Sequence, residues 1–141
     1  MARGDDVLEY FRRIPMFSAC SKKDLKTIAA NAERVHVAPG RVLAEQGDTG
    51  REAFVIVGGK ARVLRNGRKV AMLRPGQFFG ELSLLDRAPR NATVVADTDM
   101  DLLVIGQREF AKIVDAAPAF ARALLMGIAR RINEADTKRS I

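Results

Sequence analysis

The spacing of apolar side chains divides the chain into a helical zone, a zone of short strands and a second helical zone. In the first zone, Ser21 followed by Asp24 forms a variant of the capping box, the reciprocal side-chain pairing that opens a helix. The apolar positions after it recur at helical spacing and predict one buried face, made of Leu25, Ile28, Ala29 and Ala32. A shorter helix is expected over 7–13, ending near Pro15.

Between Val35 and Ile105 the apolar residues form short or alternating runs separated by turn residues, a pattern typical of strands. The runs include VHV, RVLAEQGD, AFVIVGG, ARVL, KVAML, ATVVA and MDLLVI. Asn66-Gly67 lies between two of these runs and predicts a hairpin, because a type I′ turn needs central residues that tolerate positive φ. Many short strands at regular spacing favour a β-barrel or jelly roll.

After Gly106 the helical period returns. Its apolar positions are Phe110, Ile113, Val114, Phe120, Leu124, Ile128 and Ile132. We therefore predict an α+β, mainly β fold, in which an eight-stranded jelly-roll β-barrel over 35–106 is flanked by N-terminal helices over 1–34 and C-terminal closing helices over 107–141. A chain of 141 residues is expected to form a single domain, 1–141.

The composition fits a folded, water-soluble chain, with 48% hydrophobic and 29% charged residues. No uncharged run approaches the roughly 18 residues that a membrane span needs, and no signal-peptide pattern opens the chain, so a cytoplasmic protein is expected. The net charge of +7 is divided among all three zones, and aromatic stacking platforms are scarce, with no Trp and one Tyr. Direct nucleic-acid binding by this chain is therefore not expected.

Cysteine and histidine are too scarce for the sites that they usually build. Cys20 is the only cysteine, which excludes an internal disulfide and a cysteine zinc cluster, and we interpret it as a partly buried apolar residue. His36 is the only histidine, so neither a cupin-like metal site nor a nucleophilic triad is expected. We interpret His36 as a packing or surface residue and expect that the chain is not an enzyme.

The stretch FGELSLLDRAPRNATV, residues 79–94, interrupts the strand pattern and holds the candidate chemistry. Gly80 permits close backbone approach, and the residues after it suit one helical turn whose N–H groups could bind an anion. Arg90 could return to the same anion and clamp two phosphate oxygens, while Glu81 could accept hydrogen bonds from sugar hydroxyls. This spacing of nine residues suits a phosphorylated ribose, but it suits a surface salt bridge between Glu81 and Arg90 as well.

The same stretch resembles the phosphate-binding cassette of the cyclic nucleotide-binding domain family, through its FGEL opening, its glutamate-to-arginine spacing and its PRNATV ending. The similarity extends over nearly the whole chain and includes IPMFSACSKKDL, EQGD and AFVIVGGKARV. It implies a non-catalytic sensor that binds a cyclic nucleotide and needs no other cofactor. The implied binding residues are Gly80, Glu81, Leu82, Ser83, Arg90, Asn91 and Ala92.

By this resemblance, Glu81 binds the ribose 2′-hydroxyl, Arg90 binds the cyclic phosphate, and Gly80 leaves room for that phosphate. Backbone amides would help to hold the phosphate at Leu82, Ser83 and Asn91. Asn91 departs from the family pattern, which usually has a small or hydroxyl residue at this position. A hydroxyl residue there is associated with binding of guanine. Asparagine can donate and accept, so Asn91 could reach the phosphate, the purine or neither, and cAMP is favoured over cGMP as the ligand.

The resemblance also implies that the last helix acts as a lid over the base, with apolar cover from Leu124, Leu125, Met126 and Ile128. Two other interpretations stay open: a protein-interaction module that has lost nucleotide binding, and the sensor half of a DNA-binding transcription regulator. The expected protein partners are an effector, or a second copy of the chain bound through the apolar stripe of the C-terminal helix. That stripe comprises Phe120, Leu124, Ile128 and Ile132.

Overall fold

The computed structural model of the chain describes residues 17–80 and 89–126. The chain forms two compact units. One comprises residues 31–111 and contains the strands, and the other combines residues 1–30 with residues 112–141 and is mainly helical in its described part. In the described part of the chain, no helix is long and apolar enough to cross a membrane.

The first described helix, α1 (Lys22–Ala30), begins where the sequence predicts. Ser21 Oγ accepts a hydrogen bond from the Asp24 amide at 3.1 Å, and Asp24 Oδ2 accepts one from the Ser21 amide at 3.3 Å. These reciprocal bonds satisfy backbone donors that the first turn of a helix leaves unpaired. Leu25 and Ile28 of the predicted apolar face are fully buried, whereas Ala29 is only half-buried and Ala32 lies beyond the end of α1.

Eight strands are formed within the described residues. They are β1 (Glu33–Val37), β2 (Val42–Ala44), β3 (Glu52–Gly58), β4 (Ala61–Arg65), β5 (Arg68–Leu73), β6 (Phe78–Phe79), β7 (Thr93–Ala96) and β8 (Met100–Gly106). They make two four-stranded antiparallel sheets, with the orders β1-β8-β3-β6 and β2-β7-β4-β5. The predicted eight-stranded jelly roll is therefore confirmed, since the chain passes from one sheet to the other after every strand except at the β4–β5 hairpin.

The two sheets do not close into the predicted barrel. β1 and β6 are the outer strands of one sheet, and β2 and β5 are the outer strands of the other. Because these outer strands do not pair to join the two sheets, the sheets are not closed and the fold is a β-sandwich.

The ends of the strands follow backbone pairing more closely than hydrophobic pattern. β1 begins at Glu33, two residues before the predicted start at Val35, because Glu33 pairs with Val104 and Arg34 with Leu103. Glu33 and Arg34 are exposed, so the apolar pattern gave no signal for them. The β4–β5 hairpin turns at Asn66-Gly67 with φ of 54° and 80°, which confirms the predicted turn.

The core of the sandwich is built by apolar side chains from both sheets. β3 is buried on both faces from Ala53 to Val57, which explains why its sequence is a continuous apolar run instead of an alternating one. The central cluster consists of Ala44, Phe54, Ile56, Ala61, Phe79, Val94, Ala96, Met100 and Leu102. Burial of a large side chain such as Ile56 or Leu102 contributes about 1.5–3 kcal/mol. This core fixes β3 and β7, the strands that follow the two loops carrying the candidate site.

Helix α2 (Gln107–Ala116) follows β8 directly, and residues 118–126 are also helical. In the helical unit, the rings of Phe17 and Phe120 stack with their centroids 5.9 Å apart. Phe120 and Leu124 are buried.

The exposed apolar residues of the helical segment 118–126 are Leu125 and Met126, which are 65% and 57% exposed. Of the predicted apolar stripe, Phe120 and Leu124 are buried within this chain, and the pairing of the stripe with a second copy stays a prediction. Ile128 and Ile132, and the helix predicted over 7–13, lie outside the described residues.

Candidate functional site

The backbone of Arg90 is fastened to the turn between β2 and β3. Its amide donates to the Asp48 carbonyl at 2.8 Å, and its own carbonyl accepts from the Gly47 amide at 2.9 Å. Thr49 and Pro89 form an isolated antiparallel bridge beside these bonds. Both the backbone amide and the backbone carbonyl of Arg90 are therefore hydrogen-bonded to a loop about 40 residues earlier in the chain.

The side chain of Arg90 is half-buried and lies among groups from β3. Its Nη2 donates to the backbone carbonyl of Glu52 at 3.0 Å. Its Cζ lies 5.8 Å from the centroid of the Phe54 ring, within the range of a cation–π interaction. Phe54 in turn stacks on Phe79, with centroids 4.7 Å apart and planes 12° apart, so the ring beneath the guanidinium is itself fixed.

Two glycines also lie close to the guanidinium. A Cβ atom placed on Gly80 would stand 2.6 Å from Arg90 Nη1 and 2.8 Å from the Glu52 carbonyl oxygen, and Gly80 has a φ of +85°. A Cβ atom placed on Gly50 would collide with Cζ and Nη2 of Arg90. We call the surroundings formed by Gly50, Glu52, Phe54 and Gly80 the arginine slot.

The other predicted site residues fall in two groups. Glu81, Leu82 and Ser83 lie outside the described residues, so their predicted roles stay predictions. Asn91 is exposed, and its backbone carbonyl accepts a hydrogen bond from Arg65 Nε at 3.3 Å, while Ala92 is buried. The segment after Arg90 is therefore tied to β4 as it enters β7.

A separate polar cluster lies on the exposed side of β1 and β8. His36 Nδ1 is 3.1 Å from Asp101 Oδ1, and His36 Nε2 is 3.4 Å from Asp99 Oδ1. The hydrogen bond to Asp101 is the main cause that raises the pKa of His36 above its ordinary value; desolvation opposes it, and the charges of Asp101 and Asp99 add to the increase. The side chain is 63% exposed, which confirms that His36 is a surface residue.

Cys20 is half-buried, as interpreted from the sequence, and burial followed by the charge of Asp24 raises the pKa of its thiol. Over residues 17–80 and 89–126, no three His, Cys, Asp or Glu side chains are placed to hold a metal ion.

Sequence reasoning did not find three groups of the arginine slot: Gly50, the carbonyl of Glu52 and the ring of Phe54. A glycine just before a strand is an ordinary turn residue, and a backbone carbonyl has no sequence signal. An aromatic residue within the apolar run AFVIV is expected to be a core residue. Only the folded chain brings residues 50–54 to residue 90.

A cation held in one orientation by a carbonyl, an aromatic ring and two glycines is suited to bind an anion, because little side-chain freedom is left to lose on binding. The described part of the chain therefore defines a jelly-roll sandwich with a preorganised arginine. The model of the cyclic nucleotide-binding domain family matches residues 34–117. The chain belongs to this family.

Individual relatives agree with that assignment. The chain is similar to the cyclic AMP receptor protein of Thermus thermophilus, with 32% identity over 127 residues, which cover 86% of this chain and 59% of the relative. It is also similar to the crystal structure of the Thermus thermophilus catabolite activator protein, with 31% identity, a TM-score of 0.81 and coverage of 89% of this chain and 62% of that one.

A third similarity is to the crystal structure of the N-terminal domain of a transcriptional regulator from Streptomyces coelicolor. It has 32% identity and a TM-score of 0.70, and the match covers 92% of this chain and 94% of that one. The chain thus matches this single domain over almost its whole length, but it spans less than two thirds of the length of either Thermus match.

Proposed function

We propose that this chain binds a cyclic nucleotide, with cAMP favoured over cGMP, and acts as a non-catalytic sensor. The observation that carries the proposal is the arginine slot, which holds the guanidinium of Arg90 in one orientation. The family to which the chain belongs supports a cyclic nucleotide as the anion.

In this proposal Arg90 binds the cyclic phosphate. The guanidinium is a planar fork of N–H donors that matches two phosphate oxygens, and a fixed fork loses less entropy on binding than a mobile lysine. Because Arg90 is half-buried, its attraction to the phosphate is less screened than that of an exposed arginine.

Glu81 is proposed to accept a hydrogen bond from the ribose 2′-hydroxyl, since an ionised carboxylate only accepts. Backbone amides of the cassette are proposed to complete the phosphate site, at Leu82, Ser83 and Asn91. Gly80 and Ala92 are the small residues that leave space beside the phosphate site.

The linear control ligand for these contacts is 5′-AMP, which lacks the cyclic phosphate.

The preference for cAMP rests on Asn91 and on one relative. Asn91 stands where a hydroxyl residue is associated with gripping guanine, and asparagine has no hydroxyl. The Thermus relative is named a cyclic AMP receptor protein. A titration with both nucleotides tests this preference directly.

A sensor must also favour one of two conformations when ligand is bound. We propose that the helical residues after Pro118 change conformation on binding. Leu125 and Met126 are proposed as the residues that respond, because they expose large apolar side chains in this segment.

The proposal is tested by isothermal titration of the nucleotide-stripped chain with cAMP, cGMP and 5′-AMP. We expect saturable binding of cAMP, weaker binding of cGMP and much weaker binding of 5′-AMP. Arg90→Ala should weaken cAMP binding by roughly 30-fold to several thousand-fold, because truncating one partner of a buried charge pair costs about 2–5 kcal/mol.

Arg68→Ala is the matched control, because Arg68 is an exposed arginine of β5 and lies outside the cassette. It should bind cAMP as the unmodified chain does. Equal affinities of the Arg90 and Arg68 variants would remove Arg90 from the site. Absence of binding by the unmodified chain would favour a protein-interaction module in its place.

A further inference from the structure

We propose that Gly50 is a positioning residue for Arg90, and that the missing side chain at position 50 keeps the guanidinium in the orientation that binds phosphate. This inference rests on the proposed function, because it concerns the arginine of the same site. Gly50 lies 40 residues before Arg90, outside the cassette that the sequence points to.

Space, and not backbone conformation, explains the glycine at position 50. Gly50 is buried, and its φ lies outside the left-handed range, so a residue with a side chain could adopt this backbone. A Cβ atom at this position would nevertheless collide with Cζ and Nη2 of Arg90. The guanidinium occupies the volume that any other residue would fill.

Gly80 also lies close to the guanidinium, because a Cβ atom at that position would stand 2.6 Å from Nη1. Glu52 and Phe54 hold the group through the carbonyl bond of 3.0 Å and the ring at 5.8 Å. A methyl group at position 50 would therefore push the guanidinium out of the arginine slot.

Such a change should affect binding much more than stability. The colliding atoms are the far end of a flexible side chain, while the backbone of Arg90 stays fixed by its bonds to Gly47 and Asp48. The side chain can turn to another rotamer without disturbing the sandwich. The anion would then lose the preorganised donor.

The experiment compares Gly50→Ala with Gly106→Ala by cAMP titration and thermal unfolding. Gly106 is the matched control, because it also has an ordinary φ and its Cβ position meets a charged side-chain tip, Glu109 Oε2 at 2.6 Å. We expect Gly50→Ala to weaken cAMP binding by about 10- to 100-fold, the loss of a charge-assisted hydrogen bond. Its melting temperature should stay within about 2 °C of the unmodified chain, and Gly106→Ala should bind normally.

A double-mutant cycle with Arg90→Ala tests whether Gly50 acts through the guanidinium. Gly50→Ala should cause no further loss of affinity in the Arg90→Ala background. An equal loss in both backgrounds, or no loss with Arg90 present, would overturn the positioning role.

A measurement without nucleotide separates this inference from the proposed function. In the chain labelled with ¹⁵N-arginine, the Nε–Hε signal of Arg90 is identified by its loss in Arg90→Ala. We expect this signal to shift in Gly50→Ala and to stay in place in Gly106→Ala. An unchanged signal in Gly50→Ala would overturn the inference. If Arg90→Ala binds cAMP normally, the proposed role of Arg90 in binding fails. The Nε–Hε signal of Arg90 then decides by itself whether Gly50 positions the guanidinium.

Discussion

Arg90 and His36 are ionisable side chains of the unit formed by residues 31–111, yet their surroundings differ. Arg90 is half-buried against a carbonyl, an aromatic ring and two glycines. His36 is 63% exposed and lies between the carboxylates of Asp99 and Asp101. The carboxylates of Asp99 and Asp101 therefore compensate the charge of protonated His36, while the proposed ligand group for Arg90 is the cyclic phosphate.

The surroundings of His36 predict a pH dependence of stability. Its pKa is raised in the folded chain, chiefly by the hydrogen bond to Asp101, so folding favours the protonated form. The resulting stabilisation should be fully present below about pH 6.5, the unfolded value, and should be lost as the pH rises through the higher folded value. The difference in melting temperature between the unmodified chain and His36→Gln should therefore be larger at pH 6 than at pH 8.5.

Asp101→Asn supplies the control, because it removes the first partner of His36 and keeps the shape of the side chain. In that background the His36→Gln difference should depend less on pH. A difference that stays the same from pH 6 to pH 8.5 in the unmodified background would show that the carboxylates do not favour protonated His36.

The sequence predicted some residues of the arginine slot and missed others for a physical reason. Gly80 and Arg90 belong to one contiguous motif, so their association was visible in the sequence. Gly50 and Phe54 lie 40 and 36 residues before Arg90, and their proximity depends on the pairing of strands and loops. No local pattern encodes that proximity.

At the scale of elements, the start of α1 depends on local side-chain bonds. Ser21→Ala removes the Oγ acceptor of the Asp24 amide and should lower the free energy of unfolding by about 1 kcal/mol. Urea unfolding followed by circular dichroism measures this loss.

Ser21→Asp is the conservative variant, because aspartate is also a strong N-cap acceptor. It should retain most of the stability lost in Ser21→Ala. If both variants unfold at the same urea concentration as the unmodified chain, the capping pair contributes nothing measurable to α1.

The elements show which boundaries a sequence can reveal. The Asn66-Gly67 hairpin was predicted because its positive φ values demand particular residue types at adjacent positions. The start of β1 at Glu33 was missed because backbone pairing with β8 extends over exposed polar residues. Hydrogen bonds between main chains do not depend on side-chain hydropathy.

At the scale of the whole molecule, the proposed response predicts slower amide exchange in the C-terminal region when cAMP binds. The region to follow is Phe120 to Asn133, which includes the exposed Leu125 and Met126. Exchange at saturating cAMP should slow by about 5-fold or more, the lower end of ordinary coupling free energies. Hydrogen–deuterium exchange with mass spectrometry measures this protection.

The control is Arg90→Ala at the same cAMP concentration, where protection should be absent because binding is weakened. 5′-AMP should likewise leave exchange unchanged in the unmodified chain. Bound cAMP with unchanged exchange across this region would show that the C-terminal helices do not respond to the ligand.

The sequence by itself determined the order of helices and strands, the capping of α1, the hairpin at Asn66-Gly67 and the cassette that contains Arg90. These features depend on neighbouring residues, whose periodicity, turn chemistry and spacing are read directly from the chain. Tertiary structure alone decided that the sheets form an open sandwich and that Gly50, Glu52 and Phe54 enclose the arginine. These features need contacts between distant residues, which antiparallel pairing and close packing of the core bring about only when the chain has folded.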